Sequence, residues 1–208
     1  MPSITRRAGK AGRPASAAAE ILAATQRLLN RGAAFTEIGI QEICTEAGVA
    51  RSTFYSNFRD KTDLLVRLAS DVMSSTFGLT TAWNPRTAAE GLADTFLQVI
   101  KFYREHAAVR RALAEVATYD ATVRDLWNQE LGRFADWTIA LIRAEQQAGR
   151  TSTDLDLDSA ARVIVVGGER AITDHVATGD VAADATFARE LATIWWYGVY
   201  RRPAPTAG

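Results

Sequence analysis

Residues 36–61, TEIGIQEICTEAGVARSTFYSNFRDK, decide how this 208-residue chain folds. Apolar residues recur in this stretch at intervals of three and four, the spacing of helices that bury one face. Gly48 lies between two such runs, and glycine readily adopts the left-handed backbone of a tight turn. The stretch therefore predicts a short helix, a turn, a second short helix over 51–57, and the capped start of a third.

The same apolar spacing continues through the rest of the chain, without the sustained alternation that is typical of strands. The sequence predicts an all-α protein of about nine helices. A three-helix, helix-turn-helix domain is expected over residues 16–68, and a second helical domain over residues 69–208. Residues 1–15 contain four basic and no acidic side chains, which predicts a disordered arm. This arm would either follow DNA or form a solvated tail.

Charge is unevenly distributed along a chain whose net charge is zero. The first 68 residues carry 10 Lys and Arg against 6 Asp and Glu, and the remainder carries 14 against 18. A basic first third is compatible with a polyanionic partner. Cys44 is the single cysteine, which excludes an intrachain disulfide and is typical of the reducing cytoplasm. No uncharged run approaches the length of a membrane span, so we expect a cytoplasmic protein without a membrane segment.

The second short helix carries the residues expected to read DNA. Helix-turn-helix proteins place the start of this helix in the major groove, so Arg51, Ser52 and Thr53 are the predicted base contacts. Tyr55 is predicted to contact phosphate, although a purely packing role is the alternative. The predicted contacts to the DNA backbone lie before, within and after this helix. They are Thr36, Gln41, Tyr55, Asn57 and Lys61.

The segment GVARSTFYSNFRDKTDLL, residues 48–65, resembles the DNA-binding signature of TetR-type bacterial regulators. The resemblance extends from residue 17 to about residue 68. Two departures are Ala50, where Ser or Thr often caps the reading helix, and Arg59-Asp60, where Pro-Ser often precedes the lysine. The resemblance implies a homodimeric repressor that binds a palindromic double-stranded DNA operator and is released by a small-molecule effector.

Aromatic side chains are concentrated after residue 68, where all five tryptophans occur. Aromatic residues at helical spacing form a plain core in many proteins. Tryptophan also leaves polar edges and irregular packing surfaces, and a chamber between helices is a common ligand site. The sequence therefore leaves two possibilities open, a filled core or a cavity for a hydrophobic ligand.

Three segments of the second domain resemble one branch of the family, the mycobacterial repressors of ethionamide activation. They are the run from VRDLW to WTIALIRAEQQAG, the GERAI segment and the terminal IWWYGVY. The branch has asparagines at the positions of Val165 and Gly168, so Thr138 and, less directly, Glu169 would supply polar contacts here. The resemblance and the apolar stripes imply a ligand channel lined by eleven residues: Leu92, Phe96, Val99, Tyr103, Trp127, Phe134, Trp137, Thr138, Val165, Gly168 and Trp195.

The last two helices resemble the dimer interface of the family, with Ile194 and Trp195 among the apolar residues expected there. Gly167 and Gly168 would either allow close approach of the partner or leave room for a bulky neighbour such as tryptophan. No metal-ligand spacing, phosphate loop or nucleophile elbow occurs, so we predict neither an enzyme nor a cofactor or metal site. The alternatives are a ligand-independent DNA-binding regulator with a filled core, and a helical enzyme or adaptor.

Overall fold

The computed structural model describes residues 16–202, and within them the chain forms nine α-helices and no strand. This confirms the all-α prediction, whereas the predicted disordered arm lies outside the described residues. Two 3₁₀ turns, at Pro85–Thr87 and Val181–Ala183, and a π-helix at Trp196–Tyr200 complete the secondary structure. The α-helices are α1 (Ala17–Asn30), α2 (Ile40–Ala47), α3 (Arg51–Asn57), α4 (Lys61–Thr81), α5 (Ala88–Glu105), α6 (Ala107–Ala117), α7 (Ala121–Gln147), α8 (Leu157–Thr178) and α9 (Asp184–Trp195).

The chain divides into two compact units between Lys61 and Thr62, earlier than the boundary predicted after residue 68. We call them the N-terminal unit and the C-terminal unit. Helix α4 is continuous across this division, with its first residue in the N-terminal unit and the rest in the C-terminal unit.

The N-terminal unit contains α1, α2 and α3. The side chain of Ser16 accepts a hydrogen bond from the backbone N–H of Ala19 and so caps α1. Gly48 ends α2 in the left-handed conformation, with φ of 66°, as the turn requires. Ile21 and Phe54 are fully buried, and Phe58 is nearly so. These apolar contacts hold three short helices that would be unstable alone.

Two helix boundaries differ from those predicted. Helix α2 begins at Ile40 rather than near Thr36, because the N–H groups of Glu37 and Ile38 bond to the carbonyl of Ala34 in a separate turn. Glycine often ends a helix, so the sequence predicts an end of α4 near residue 77, but the helix continues past Gly78 to Thr81. A glycine inside a helix costs about 1 kcal/mol relative to alanine, which one position in a long buried helix can tolerate.

The C-terminal unit buries aromatic and aliphatic side chains of α5, α7, α8 and α9 together with the π-helix. Fully or nearly fully buried members include Ile100, Ile142 and Tyr200. The apolar stripe of α7 is different, because Trp127, Phe134 and other members of it are only half-buried. Incomplete burial of large apolar side chains on the inner face of a helix indicates that a space lies beside them.

Within residues 16–202, every helix is either too short or too polar to span a bilayer.

Candidate DNA-binding and ligand-binding sites

The reading helix α3 exposes polar residues on one face and buries aromatic residues on the other. Arg51 and Ser52 are exposed and Thr53 is half-buried, whereas Phe54 is completely buried. Ala50 precedes the helix in an extended conformation and offers no side-chain cap, as its residue type predicts. The hydrogen bonds from the N–H groups of Thr53 and Phe54 to the carbonyl of Ala50 begin the helix instead. The three predicted base-reading residues are therefore at the start of a helix held by its buried face.

Tyr55 is 48% exposed, which disfavours the purely packing alternative for this side chain. The Arg51 guanidinium donates to the Tyr55 hydroxyl at 3.3 Å, so the two side chains are coupled on the exposed face. Asn57 is also exposed, but its amide N–H donates to the carbonyl of Thr53 at 2.7 Å. The amide nitrogen carries two N–H groups, so the second one remains a donor for a phosphate oxygen.

Thr36 and Gln41, the predicted DNA-backbone contacts near α2, are both exposed. Lys61 differs from them, because its ammonium donates to three backbone carbonyls of the same unit. The distances are 2.6 Å to Phe35, 3.2 Å to Thr36 and 2.7 Å to Ile38. An ammonium has three N–H donors. The geometry therefore favours Lys61 as a residue that fixes the loop before α2 over its predicted role as a phosphate contact.

Glu46 joins α2 to α1 through two arginines. Arg31 donates to both carboxylate oxygens, at 2.8 and 2.9 Å, and Arg27 donates to one of them at 2.8 Å. These hydrogen bonds, with Arg31 first and Arg27 second, lower the pKa of Glu46 from its ordinary value near 4.5 to about 2. The three charged side chains thereby fix the orientation of α2, the helix that precedes the reading helix α3.

The C-terminal unit contains a cavity of about 80 Å³ between α4, α5, α6, α7, α8 and α9. One water molecule needs about 15 Å³ on this measure, so the space holds several waters or a short apolar group. Ten of the eleven predicted ligand residues line it, and Leu92 does not, because it is buried in the core. The ten are Phe96, Val99, Tyr103, Trp127, Phe134, Trp137, Thr138, Val165, Gly168 and Trp195.

Gly168 lies against Trp195 at this cavity. A Cβ placed on Gly168 would be 2.5 Å from Cζ2 of the indole, which is closer than any real contact. A Cβ on Gly167 would meet nothing within 4 Å. Of the two possibilities for these glycines, Gly168 therefore fits the second, because it leaves room for a tryptophan. Gly167 lies on the exposed side of α8.

Several cavity residues were not predicted, and the charged ones change its chemistry. Arg110 of α6 lies over the Tyr103 ring, 3.4 Å from its centroid, and donates to Glu169 at 2.7 Å. Burial raises the pKa of the Tyr103 phenol, so this wall residue is neutral at physiological pH. Glu169, predicted as a less direct polar contact, also lines the cavity. The lining residues that were not predicted are Met73, Thr76, Thr80, Arg110, Glu130, Leu131 and Ile172.

Large apolar side chains are exposed on α8 and near the end of α9. Val163 and Val166 of α8 are 70% and 46% exposed, and Ile194 and Tyr197 are 66% and 63% exposed. Trp195, by contrast, is nearly buried within its own chain. An exposed apolar face of this kind is typical of a protein–protein contact. Among residues 16–202, no cluster of three potential metal ligands accompanies it or the cavity.

Two family models match the chain, one for each part. The model described as bacterial regulatory proteins of the tetR family matches residues 21–68. The model described as the C-terminal domain of the transcriptional regulator EthR matches residues 92–201, more than half of the chain. The first match contains the reading helix, and the second contains most of the cavity lining.

One relative and two solved structures are similar to the chain over most of its length. The HTH-type transcriptional regulator EthR of Mycobacterium tuberculosis is 27% identical over 185 residues, which cover 86% of this chain and 85% of the relative. GusR of Salmonella enterica has the same fold, with a TM-score of 0.72 at 17% identity over 89% of this chain and 96% of that one. FadR of Bacillus subtilis, solved in complex with stearoyl-CoA, has a TM-score of 0.69 at 18% identity over 87% of this chain and 98% of that one. The chain therefore belongs to the TetR family of bacterial transcriptional regulators, DNA-binding proteins rather than enzymes, and its C-terminal domain is of the EthR type.

Proposed function

We propose that this protein is a homodimeric cytoplasmic repressor, which binds a palindromic DNA operator and leaves it when a hydrophobic effector enters the cavity of the C-terminal unit. The observation that carries this proposal is the course of α4. Its first residue bonds to the loop before α2, and Met73, Thr76 and Thr80 further along the helix line the cavity. A ligand that shifts this wall of the cavity would therefore move α4, the helix that follows the N-terminal unit in the chain.

In this proposal, Arg51, Ser52 and Thr53 contact base edges, and Tyr55 contacts phosphate. The exposure of Arg51 and Tyr55, together with the rigid burial of Phe54 beneath them, supports this assignment. Arginine can bond to guanine through two N–H groups, so Arg51 would carry most of the discrimination between base pairs. Thr36 and Gln41 remain the proposed backbone contacts near α2.

The effector is proposed to be largely apolar because aromatic and aliphatic side chains form most of the cavity wall. The volume of about 80 Å³ would admit only part of such a molecule. A larger ligand would have to displace wall residues, and Trp127, Phe134 and Trp137 are incompletely buried. Their displacement is the step by which binding energy would reach neighbouring helices, because packed walls do not deform without rearrangement.

The dimer is proposed to form through α8 and the end of α9. The side chain of Trp195 in α9 reaches Gly168 in α8, and Val163, Val166 and Ile194 are exposed apolar side chains on the same two helices. Two copies related by a two-fold axis would each bury this apolar face. Two reading helices at a fixed separation require an operator with two half-sites, hence a palindrome.

An electrophoretic mobility-shift assay with the DNA upstream of the protein's own gene tests the DNA-binding part. Arg51→Ala and Thr53→Ala should lose sequence-specific binding, with about 1–3 kcal/mol lost for each good base contact. Arg143→Ala is the matched control, because Arg143 is an exposed arginine of α7 in the C-terminal unit. Unchanged specificity in Arg51→Ala, or equal loss in the control, would contradict the assignment.

Sedimentation equilibrium tests the dimer. Ile194→Glu should give a monomer, because a charge would be buried in the interface. Val181→Glu is the control, since Val181 is equally exposed, at 66%, but lies outside α8 and α9. A dimer that tolerates Ile194→Glu would move the interface elsewhere.

A further inference from the structure

The aromatic cavity contains one charged group whose hydrogen-bonding capacity is only partly used. Arg110 lies flat over Tyr103, and its guanidinium carbon is 5.3 Å from the centre of the Trp127 ring. Its Nη2 donates to Glu169 at 2.7 Å and to the hydroxyl of Thr173 at 3.1 Å. These contacts hold the guanidinium plane in one orientation at the cavity wall.

The remaining donors of Arg110 are available to a ligand. A guanidinium has five N–H groups. Two of them, on Nη2, bond to α8, and the Tyr103 hydroxyl is a further hydrogen-bond partner of Arg110, so two N–H groups are left for a ligand. Among the described residues, the only fully buried side-chain nitrogen or oxygen without a partner is Nε1 of Trp83. The unused N–H groups of Arg110 are therefore not sealed in the protein interior, and Arg110 itself lines the cavity.

We propose that Arg110 is the polar anchor of the cavity and selects an uncharged effector that has an apolar body and a hydrogen-bond acceptor, such as the carbonyl of a ketone, ester or amide. This inference rests on the proposed effector site and specifies its ligand. The carbonyl oxygen accepts from Arg110 while the apolar body packs among Phe96, Trp137 and Trp195.

The charges around Arg110 argue against a carboxylate in the same place. Glu169 already neutralises Arg110 at 2.7 Å, so a second carboxylate would face the negative charge of Glu169. Glu130 adds another acid to the wall, with its own partner Arg133 at 2.8 Å. A cationic head group is disfavoured as well, because it brings no acceptor to the N–H groups of Arg110. A neutral acceptor uses these donors without disturbing the existing ion pair.

Isothermal titration calorimetry of the full-length protein with three ten-carbon probes tests the inference. The probes are butyrophenone, butylbenzene and 4-phenylbutyrate, which present a ketone, no polar group and a carboxylate on a similar apolar body. Wild type should bind butyrophenone roughly tenfold more tightly than either other probe, as a hydrogen bond to a charged donor implies. Equal binding of butyrophenone and butylbenzene, or tighter binding of 4-phenylbutyrate, would overturn the inference.

Two variants assign the preference to the proposed groups. Arg110→Met with Glu169→Gln removes both charges together and leaves no unpaired ion. This double variant should lose the preference for butyrophenone and keep its affinity for butylbenzene, which also reports that the cavity is intact. Glu169→Gln alone should keep the preference and bind 4-phenylbutyrate more tightly than wild type does. A double variant that retains the preference, or a Glu169→Gln variant without that gain, would overturn the role of Arg110.

The neighbouring Arg111→Met is the matched control, because Arg111 is exposed on the same helix and does not line the cavity. It should bind all three probes as wild type does. Mobility-shift assays with the same probes separate this inference from the proposed function. Binding without release of DNA would reject the effector mechanism and leave the anchor standing. Failure of every probe to bind would reject both.

Discussion

Gly168 of α8 and Trp195 of α9 pack so closely that a single added Cβ would come within 2.5 Å of the indole. The indole edge is part of the cavity wall, as is Gly168 itself. The absence of a side chain at position 168 thus determines where Trp195 lies and how much of the cavity is open.

Gly168→Ala should therefore change both the stability and the ligand affinity of the protein. Alanine gains about 1 kcal/mol in helix propensity over glycine, but here Trp195 must move, and overpacking costs about 1–3 kcal/mol. We expect a lower melting temperature and weaker effector binding, measured by calorimetric unfolding and titration. In Gly132→Ala of α7, where a Cβ meets nothing within 4 Å, the melting temperature should rise instead. A rise in both variants would show that Trp195 adjusts without cost.

The sequence predicted the bounds of α3 more closely than those of α2 or α4. The bounds of α3 agree with those predicted because a turn glycine, an extended Ala50 and two buried phenylalanines all act locally. The predicted end of α4 near residue 77 was wrong, because Gly78 lies inside the helix. In the structure, the helix continues to Thr81, and the hydroxyls of Thr80 and Thr81 donate to carbonyls one turn earlier.

The candidate cavity was predictable where its residues lie on the inward stripes of helices, whereas its charged residue Arg110 was not predicted. Phe134, Trp137 and Thr138 follow helical spacing on α7, which identifies an inward face from sequence alone. Arg110 follows no such pattern, since a charged residue on a helix is usually solvated. Its partner Glu169 is 59 residues away in the chain, so only the packing of α6 against other helices brings the pair together.

Lys61→Met separates the structural role of this lysine from a role in phosphate binding. Loss of the bonds to Phe35, Thr36 and Ile38 leaves carbonyls without their donor, which should lower the free energy of unfolding by about 1–3 kcal/mol. The measurement is denaturant unfolding, combined with DNA affinity at several salt concentrations. A phosphate contact would instead reduce the slope of log affinity against log salt by about 1. Arg67→Met, at an exposed position of the same helix, controls for the loss of one positive charge.

Glu46 should make the N-terminal unit sensitive to acid. Its pKa of about 2 lies below the ordinary value near 4.5, so the folded state favours the ionised carboxylate. The stabilisation is therefore complete above about pH 4.5 and is lost as the pH falls towards 2. Glu46→Gln should melt at a lower temperature than wild type at neutral pH, and the difference should shrink across this range. Glu42→Gln, at an exposed position of α2, should show no comparable convergence, and a constant difference for Glu46→Gln would contradict the ion-pair explanation.

Thr62 offers a direct test of how ligand binding in the cavity would affect DNA binding by the N-terminal unit. Its hydroxyl donates to Asp120 at 3.1 Å, while the other carboxylate oxygen of Asp120 caps α7 through the N–H groups of Thr122 and Val123. The first turn of α4 is thereby tied to the helix that supplies Trp127 and Phe134 to the cavity.

Thr62→Val removes this tie without changing the cavity lining or the cap of α7. We expect unchanged effector affinity for the protein without DNA, but a roughly fivefold smaller effect of the effector on operator affinity, equivalent to about 1 kcal/mol of coupling. Operator titrations with and without saturating effector measure this ratio. Ser75→Ala is the control, because Ser75 is an exposed hydroxyl of α4 that bonds within its own helix, to the carbonyl of Asp71. If the effector changes operator affinity equally in Thr62→Val and wild type, the link between α4 and α7 is not needed. The effect of the ligand would then be transmitted by α4 itself, through Met73, Thr76 and Thr80.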